Sequence, residues 1–116
     1  MKQDTVEMTL LYDFYGELLT EKQKLFFDLY YNGDYSLAEI AEEQQISRQG
    51  VHDAIARAEQ TLRTIEEQVG AVKRHRAVQA ALEELSSLVS ELAAQPQKDV
   101  QAAASKMQKI LDTIKE

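Results

Sequence analysis

The sequence predicts an all-α protein. Three observations carry that reading. Apolar residues recur every three or four positions through most of the chain. Ser, Thr and Gly stand where helices of that spacing begin and end. No alternating run of β-branched residues bounded by turns interrupts the pattern. With 116 residues, 44% of them hydrophobic, the chain can form one compact domain, or a small domain with a helical extension.

The first helix is expected from Thr5 to Leu18, with Leu11, Phe14, Tyr15 and Leu18 on one apolar face. Thr20-Glu-Lys-Gln23 is a capping box: the Thr hydroxyl and the Gln side chain satisfy end amides reciprocally, so a second helix starts there. Leu25, Phe26, Leu29 and Tyr30 should face inward from it, leaving Phe27 and Tyr31 off the main inner face, either exposed or set against the C-terminal helices. Asn32-Gly33-Asp34 ends this helix, with Gly33 suited to the left-handed position.

Ser36-Leu-Ala-Glu39 is a second capping box and opens a helix from Leu37 to about Gln44. Ile46 is a turn hydrophobe and Ser47 caps the next helix. Val51, Ile55, Ala58 and Leu62 form its buried stripe; the helical pattern continues through Ile65 and Val69, and Gly70 bends or frays it.

Beyond Gly70, the spacing of Val78, Leu82, Leu85, Val89 and Leu92 makes the seam of a further helix. Gln95-Pro96-Gln97 breaks it, because proline lacks an amide hydrogen and clashes with the preceding turn. A last helix runs from Asp99 to about Ile114, with Val100, Ala103, Met107, Leu111 and Ile114 inward. These two helices either fold back as a hairpin or pair with a second chain. All eight aromatics fall between Tyr12 and Tyr35. That shift divides the chain into an aromatic-cored domain, 1–69, and a helical extension, 70–116.

The stretch from Ser36 to Ile55 has the spacing of a helix-turn-helix, two helices joined by a tight corner. Ala41 occupies the close-approach position, and Ile40, Ile46, Val51 and Ala54 sit where core contacts belong. Gln45 stands where glycine is common, because the turn needs a positive φ; a non-glycine residue bears that at about 1 kcal/mol. On a helical wheel the face opposite the stripe carries Gln49, His52, Asp53, Ala56 and Gln60, flanked by Arg48 and Arg57. Gln49 suits an adenine edge and His52 a guanine. Ser47, Arg48 and the helix N-terminus suit phosphates, and Asp53 repels the backbone unless it accepts from a cytosine. The bland alternative is an ordinary solvated polar face.

Charge weighs against nonspecific wrapping of nucleic acid: 20 acidic and 13 basic side chains leave a net charge of −7. Lys73, Arg74 and Arg76, with His75 between, form the one locally basic segment and suit RNA phosphates or an acidic protein surface. The candidate nucleic-acid-binding residues are therefore Ser47, Arg48, Gln49, His52, Asp53, Arg57, Lys73, Arg74 and Arg76.

Other chemistry is not expected. There is no cysteine, which removes disulfides and thiolate metal sites and fits a reducing cytoplasm. His52 and His75 lie in no metal-ligand spacing, and neither a phosphate-cradling glycine loop nor an activated-serine motif is present. An enzyme, a cofactor, a metal and a small-molecule substrate are all unexpected. No apolar run reaches the roughly 20 residues of a membrane span, and Met-Lys-Gln-Asp-Thr lacks the pattern of a signal peptide.

Taken together, Leu10-Leu-Tyr-Asp-Phe-Tyr-Gly-Glu-Leu-Leu-Thr-Glu-Lys-Gln-Lys24, Tyr30-Tyr31, Tyr35-Ser-Leu-Ala-Glu-Ile-Ala41 and Ile46-Ser-Arg-Gln-Gly-Val51 closely resemble the YlxM family of small bacterial helix-turn-helix proteins. The same region is similar, less specifically, to the promoter-reading C-terminal region of sigma factors. The YlxM resemblance implies a cytoplasmic regulatory protein of the signal recognition particle pathway, in contact with the particle's GTPase or its small RNA. It places the nucleic-acid face at Ser47, Arg48, Gln49, His52 and Arg57. Gly50 and His52 depart from the Ala and Tyr of the family's pattern. The alternative is a dimeric DNA-binding transcription regulator. Either reading expects a homodimer formed through the C-terminal helices.

Overall fold

The computed structural model describes residues 4–115, and its packing divides into a head, up to Val72, and a tail from Lys73. The head opens with α1, Thr5–Tyr15, capped by Asp4, whose carboxylate accepts from the Glu7 amide at 3.1 Å. A 3₁₀ turn, Gly16–Leu18, leads into α2, Glu21–Phe27. The Thr20 capping box forms as expected: Gln23 N–H donates to Thr20 Oγ1 at 3.1 Å, and Thr20 N–H donates to Gln23 Oε1 at 3.0 Å. Next come α3, Leu37–Gln44, and α4, Arg48–Val69. In α3, Ser36 and Glu39 form the second capping box, both bonds at 3.0 Å.

Helix α4 is the axis of the head, packed against α1, α2 and α3. The expected stripe of Val51, Ile55, Ala58 and Leu62 is wholly buried. Met8, Leu11, Phe26, Phe27 and Ile40 close around it. Each large side chain so buried contributes about 1.5–3 kcal/mol.

Three expectations for the head need correction. In α1, Phe14 and Leu18 are exposed, and the inward residues are Met8, Leu11 and Tyr15, with Leu19 beyond the turn. The 3₁₀ turn that replaces the expected last helical turn breaks the spacing that had put Leu18 inward. On α2, Leu25 is exposed, while Phe27 and Tyr31 are buried at 0% and 7% exposure. A π turn at Asp28–Asn32 continues α2, and the buried face is centred one residue later than expected, on Phe26, Phe27, Tyr30 and Tyr31. Tyr12 stacks on Phe27 with ring centroids 4.6 Å apart, and Phe27 stacks on Tyr31 at 4.4 Å. The Tyr31 hydroxyl donates to the carboxylate of Glu59, a buried acid on α4. Burial, together with a hydrogen bond from its hydroxyl to Asp28, pushes the Tyr12 phenol up to about 12.

Finally, Gly33 has φ −85° and is not left-handed; Asp34 takes that conformation at φ 58°. Gly33 serves close approach instead, since a Cβ there would stand 2.9 Å from the Leu29 carbonyl oxygen.

Gly70 does adopt the left-handed conformation, φ 69°, and ends α4. Around it, the Ala71 amide donates to the Tyr15 hydroxyl at 3.1 Å and the Val72 amide to Glu66 Oε1 at 3.0 Å. Tyr15 itself donates to the same Glu66 oxygen at 2.6 Å. The end of the head is thus tied to α1.

The tail is an antiparallel hairpin of α5, Ala71–Ala93, whose first two residues belong to the head, and α6, Lys98–Lys115. The turn between them contains Pro96, as expected. Its core is Leu82, Val89, Ala104 and Leu111. Val78, Leu85, Leu92, Met107 and Ile114 were expected to face inward but are 37–54% exposed, and Ala104 replaces Ala103 as the buried alanine. Two helices alone can cover only a narrow strip of each other, so most of both seams is left outside.

Candidate nucleic-acid interface

The corner between α3 and α4 is built by three residues. Gln45 is left-handed, φ 57° and ψ 44°, as its position demands. Its amide donates back to Glu42, and the Ile46 amide donates to the Ala41 carbonyl at 3.1 Å. This doubly bonded end is a Schellman motif, which satisfies the last carbonyls of α3. Ile46 packs against the core. Ser47 then caps α4, its Oγ accepting from the Gly50 amide at 2.9 Å. A side chain at Gly50 would place its Cβ 3.1 Å from that same Oγ, so glycine here leaves the cap undisturbed.

With one face of α4 locked into the core, the opposite one must project outward. Ser47, Arg48, Gln49, Asp53 and Arg57 are exposed, and His52 is half-exposed. Three of these side chains form a unit. Gln49 Nε2 donates to Asp53 Oδ1 at 2.9 Å, and His52 Nδ1 lies 3.3 Å from the same oxygen. The Gln49 hydrogen bond, then that of His52, with the nearby charge of Arg57, holds the Asp53 carboxyl below the usual range. Asp53, expected from the sequence only as a source of repulsion or a cytosine acceptor, thereby fixes the side chains on either side of it.

Lys73, Arg74 and Arg76 are exposed on α5 in the tail, a separate packing unit from α4. The expected candidates thus fall into two groups, one on the outer face of α4 and one at the start of the tail. Sequence reasoning missed a third set, Lys22 and Gln23 on α2 with Thr61 and Thr64 on α4, which line concavities along the flank of α4. The signal for the α4 members was present: Arg57, Gln60, Thr61 and Thr64 recur at helical spacing. Among the described residues no group of three His, Asp or Glu is placed to hold a metal ion, and no helix is long and apolar enough to cross a membrane.

A capped second helix, held by a left-handed corner against the first and turning a polar face outward, defines a helix-turn-helix protein. The chain belongs to the family described as "Putative helix-turn-helix protein, YlxM / p13 like", whose model matches residues 2–108. It is 51% identical over 89 residues to a UPF0122 protein of Caldanaerobacter subterraneus subsp. tengcongensis, covering 77% of this chain and 76% of that one. It is also 46% identical over 87 residues to a UPF0122 protein of Listeria welshimeri, covering 75% and 79% of the two chains.

Proposed function

We propose that this chain is a non-enzymatic, cytoplasmic regulatory protein that binds nucleic acid through the outer face of α4. Its setting is the signal recognition particle pathway, with the particle's GTPase as protein partner. The observation that carries nucleic-acid binding is the set of exposed Ser47, Arg48 and Gln49 with half-exposed His52, at the capped start of a helix whose other side is buried. The first turn of a helix offers unpaired amides as well as side chains, which suits a phosphate followed by base edges. The pathway assignment rests on the resemblance to YlxM proteins. The exposed Lys73, Arg74 and Arg76 suit RNA phosphates in that setting.

The tail supports a homodimer. Its core is only Leu82, Val89, Ala104 and Leu111, and the stripe of Leu85, Leu88, Leu92, Met107, Ile110 and Ile114 lies outside that core, exposed on the hairpin. A second copy presents the same stripe.

The test is fluorescence anisotropy with the particle's small RNA and with duplex DNA, alongside co-purification with the particle's GTPase. Binding of the RNA or the GTPase, lost on Arg48→Ala plus Gln49→Ala, supports the proposal. Binding of neither overturns the pathway assignment. A dimeric DNA-binding transcription regulator is the second reading, favoured by the fit of an exposed helix to a major groove about 12 Å wide. It requires half-sites about 34 Å apart.

A further inference from the structure

A groove runs along one flank of α4, between that helix and the start of α2. It consists of two adjoining concavities of about 430 and 450 Å³, with Gln23 and Arg57 lining both. One end is walled by Gln60, Thr61 and Thr64, and the other by Lys22 and Asp53. From Asp53 to Thr64 the helical rise makes it about 16 Å long.

Its charged groups are two cations and one carboxylate. Lys22 is exposed, with its ammonium 5.6 Å above the Phe26 ring, and Arg57 is exposed opposite. Gln23 has committed its acceptor oxygen to the Thr20 amide in the capping box, which leaves its NH₂ for the groove. Gln60 Nε2 donates to Thr64 Oγ1 at 3.2 Å, and the Thr61 and Thr64 hydroxyls continue the polar lining. Asp53 is the one carboxylate among the described lining residues, and its Oδ1 already accepts from Gln49. Two cations and several donors in a long open channel, within a chain of net charge −7, complement a polyanionic strand. Moreover, the groove is continuous with the outer face of α4, because Arg57 belongs to both.

We infer that this groove grips one sugar–phosphate strand of a duplex DNA whose major groove receives the first turns of α4. Lys22 and Arg57 meet phosphates, and the Gln23 amide hydrogen-bonds between them. The inference rests on the nucleic-acid reading above and deepens it by adding α2 to the contact surface. DNA is chosen over duplex RNA because the deep, narrow major groove of A-form RNA excludes a helix.

The experiment measures binding of the full chain to fluorescent DNA duplexes of several sequences and to a structured RNA across a salt series, for the unaltered chain, Gln49→Ala, Lys22→Ala, Lys22→Glu and Lys22→Arg. Lys109→Ala in the tail is the control, and circular dichroism checks folding. Lys22→Ala should weaken binding about 3- to 10-fold, uniformly across sequences, and reduce the salt slope by about 0.9. Lys22→Glu should weaken it further, whereas Lys22→Arg and Lys109→Ala should leave it unchanged. Unchanged affinity and slope in Lys22→Glu, with binding still lost in Gln49→Ala, overturns the groove assignment and leaves the α4 reading intact. Failure of the unaltered chain to bind any nucleic acid overturns both. Loss on Lys22→Glu with a structured RNA, and no binding to the duplex, overturns the choice of DNA.

Discussion

Gln45→Gly should make the protein more stable. Gln45 is a non-glycine residue at φ 57°, where its Cβ crowds the following carbonyl at a cost of about 1–2 kcal/mol. Glycine removes that cost but returns about 0.5–1 kcal/mol through the greater freedom of the unfolded chain. The Gln45 side chain is exposed, so little packing is lost. The net gain is about 0.5–1 kcal/mol, or roughly 2–8 °C in Tm for a domain of the head's size. Urea unfolding followed by circular dichroism at 222 nm should show a higher midpoint with an unchanged slope. Asp34→Gly, at φ 58°, is the internal comparison. Aspartate tolerates the left-handed region better than glutamine, and Asp34 has an interaction to lose, so its gain should be smaller. Gly70→Ala, at φ 69°, should have the opposite sign and destabilise by about 1 kcal/mol. A lower midpoint for Gln45→Gly, or a larger gain for Asp34→Gly, would refute the claim that the corner is strained at Gln45.

Tyr31→Phe should cost about 1–3 kcal/mol by chemical unfolding, because it strips the buried Glu59 carboxylate of the hydroxyl that donates to it. Glu39 is held below the usual carboxylate range by the Ser36 amide and then the Ser36 hydroxyl. With its folded pKa depressed, the stability it lends is present above the unfolded value of 4.5 and lost as pH falls through the folded one. Glu39→Gln keeps the capping geometry, so it should flatten that acid limb in unfolding midpoints measured from pH 6 to pH 3; an unchanged limb would count against the assignment. In the tail, Leu88→Glu alters an exposed residue, 50% accessible, and should halve the mass seen by light scattering if a second copy covers the stripe. An unchanged mass would argue against that interface.

Features that depend on one segment were legible in the sequence. Both capping boxes, the Ser47 cap, the buried stripe of α4 and the left-handed Gln45 follow from residues close together in the chain, and each formed as expected. What was not legible depends on a partner far away. Phe27 is inside because Tyr12 stacks on it from another helix, and Tyr31 because Glu59 accepts its hydroxyl across 28 positions. Within Asn32-Gly33-Asp34 the sequence offers three residues that all suit a turn, and only the approach of the Leu29 carbonyl decides which one takes the positive φ. The same division holds for the candidate site. The outer face of α4 can be drawn on a wheel, whereas the groove needs α2 laid beside α4 before Lys22 and Arg57 face each other across one concavity.

The net charge of −7 limits how such a face can work. At physiological salt, charges more than about 8–10 Å away are largely screened, so a few local donors can hold a phosphate on an otherwise acidic protein. Those donors are few. If Arg48, Arg57 and Lys22 each meet one phosphate, the salt slope on duplex DNA is about −2.7, against about −10 for a repressor that neutralises many phosphates. Counterion release then supplies only a small part of the affinity, and the remainder must come from base-edge contacts. In the proposed reading Gln49 and His52 make those contacts, and both are tethered to Asp53 in the free chain. A tethered amide can read a base edge only in the orientation its tether permits, and losing the tether frees it to bond to more than one base. Asp53→Ala should therefore remove some charge repulsion and yet narrow the affinity gap between matched and mismatched sites. A carboxylate on the reading face is, on this argument, a device for selectivity that is bought with overall affinity.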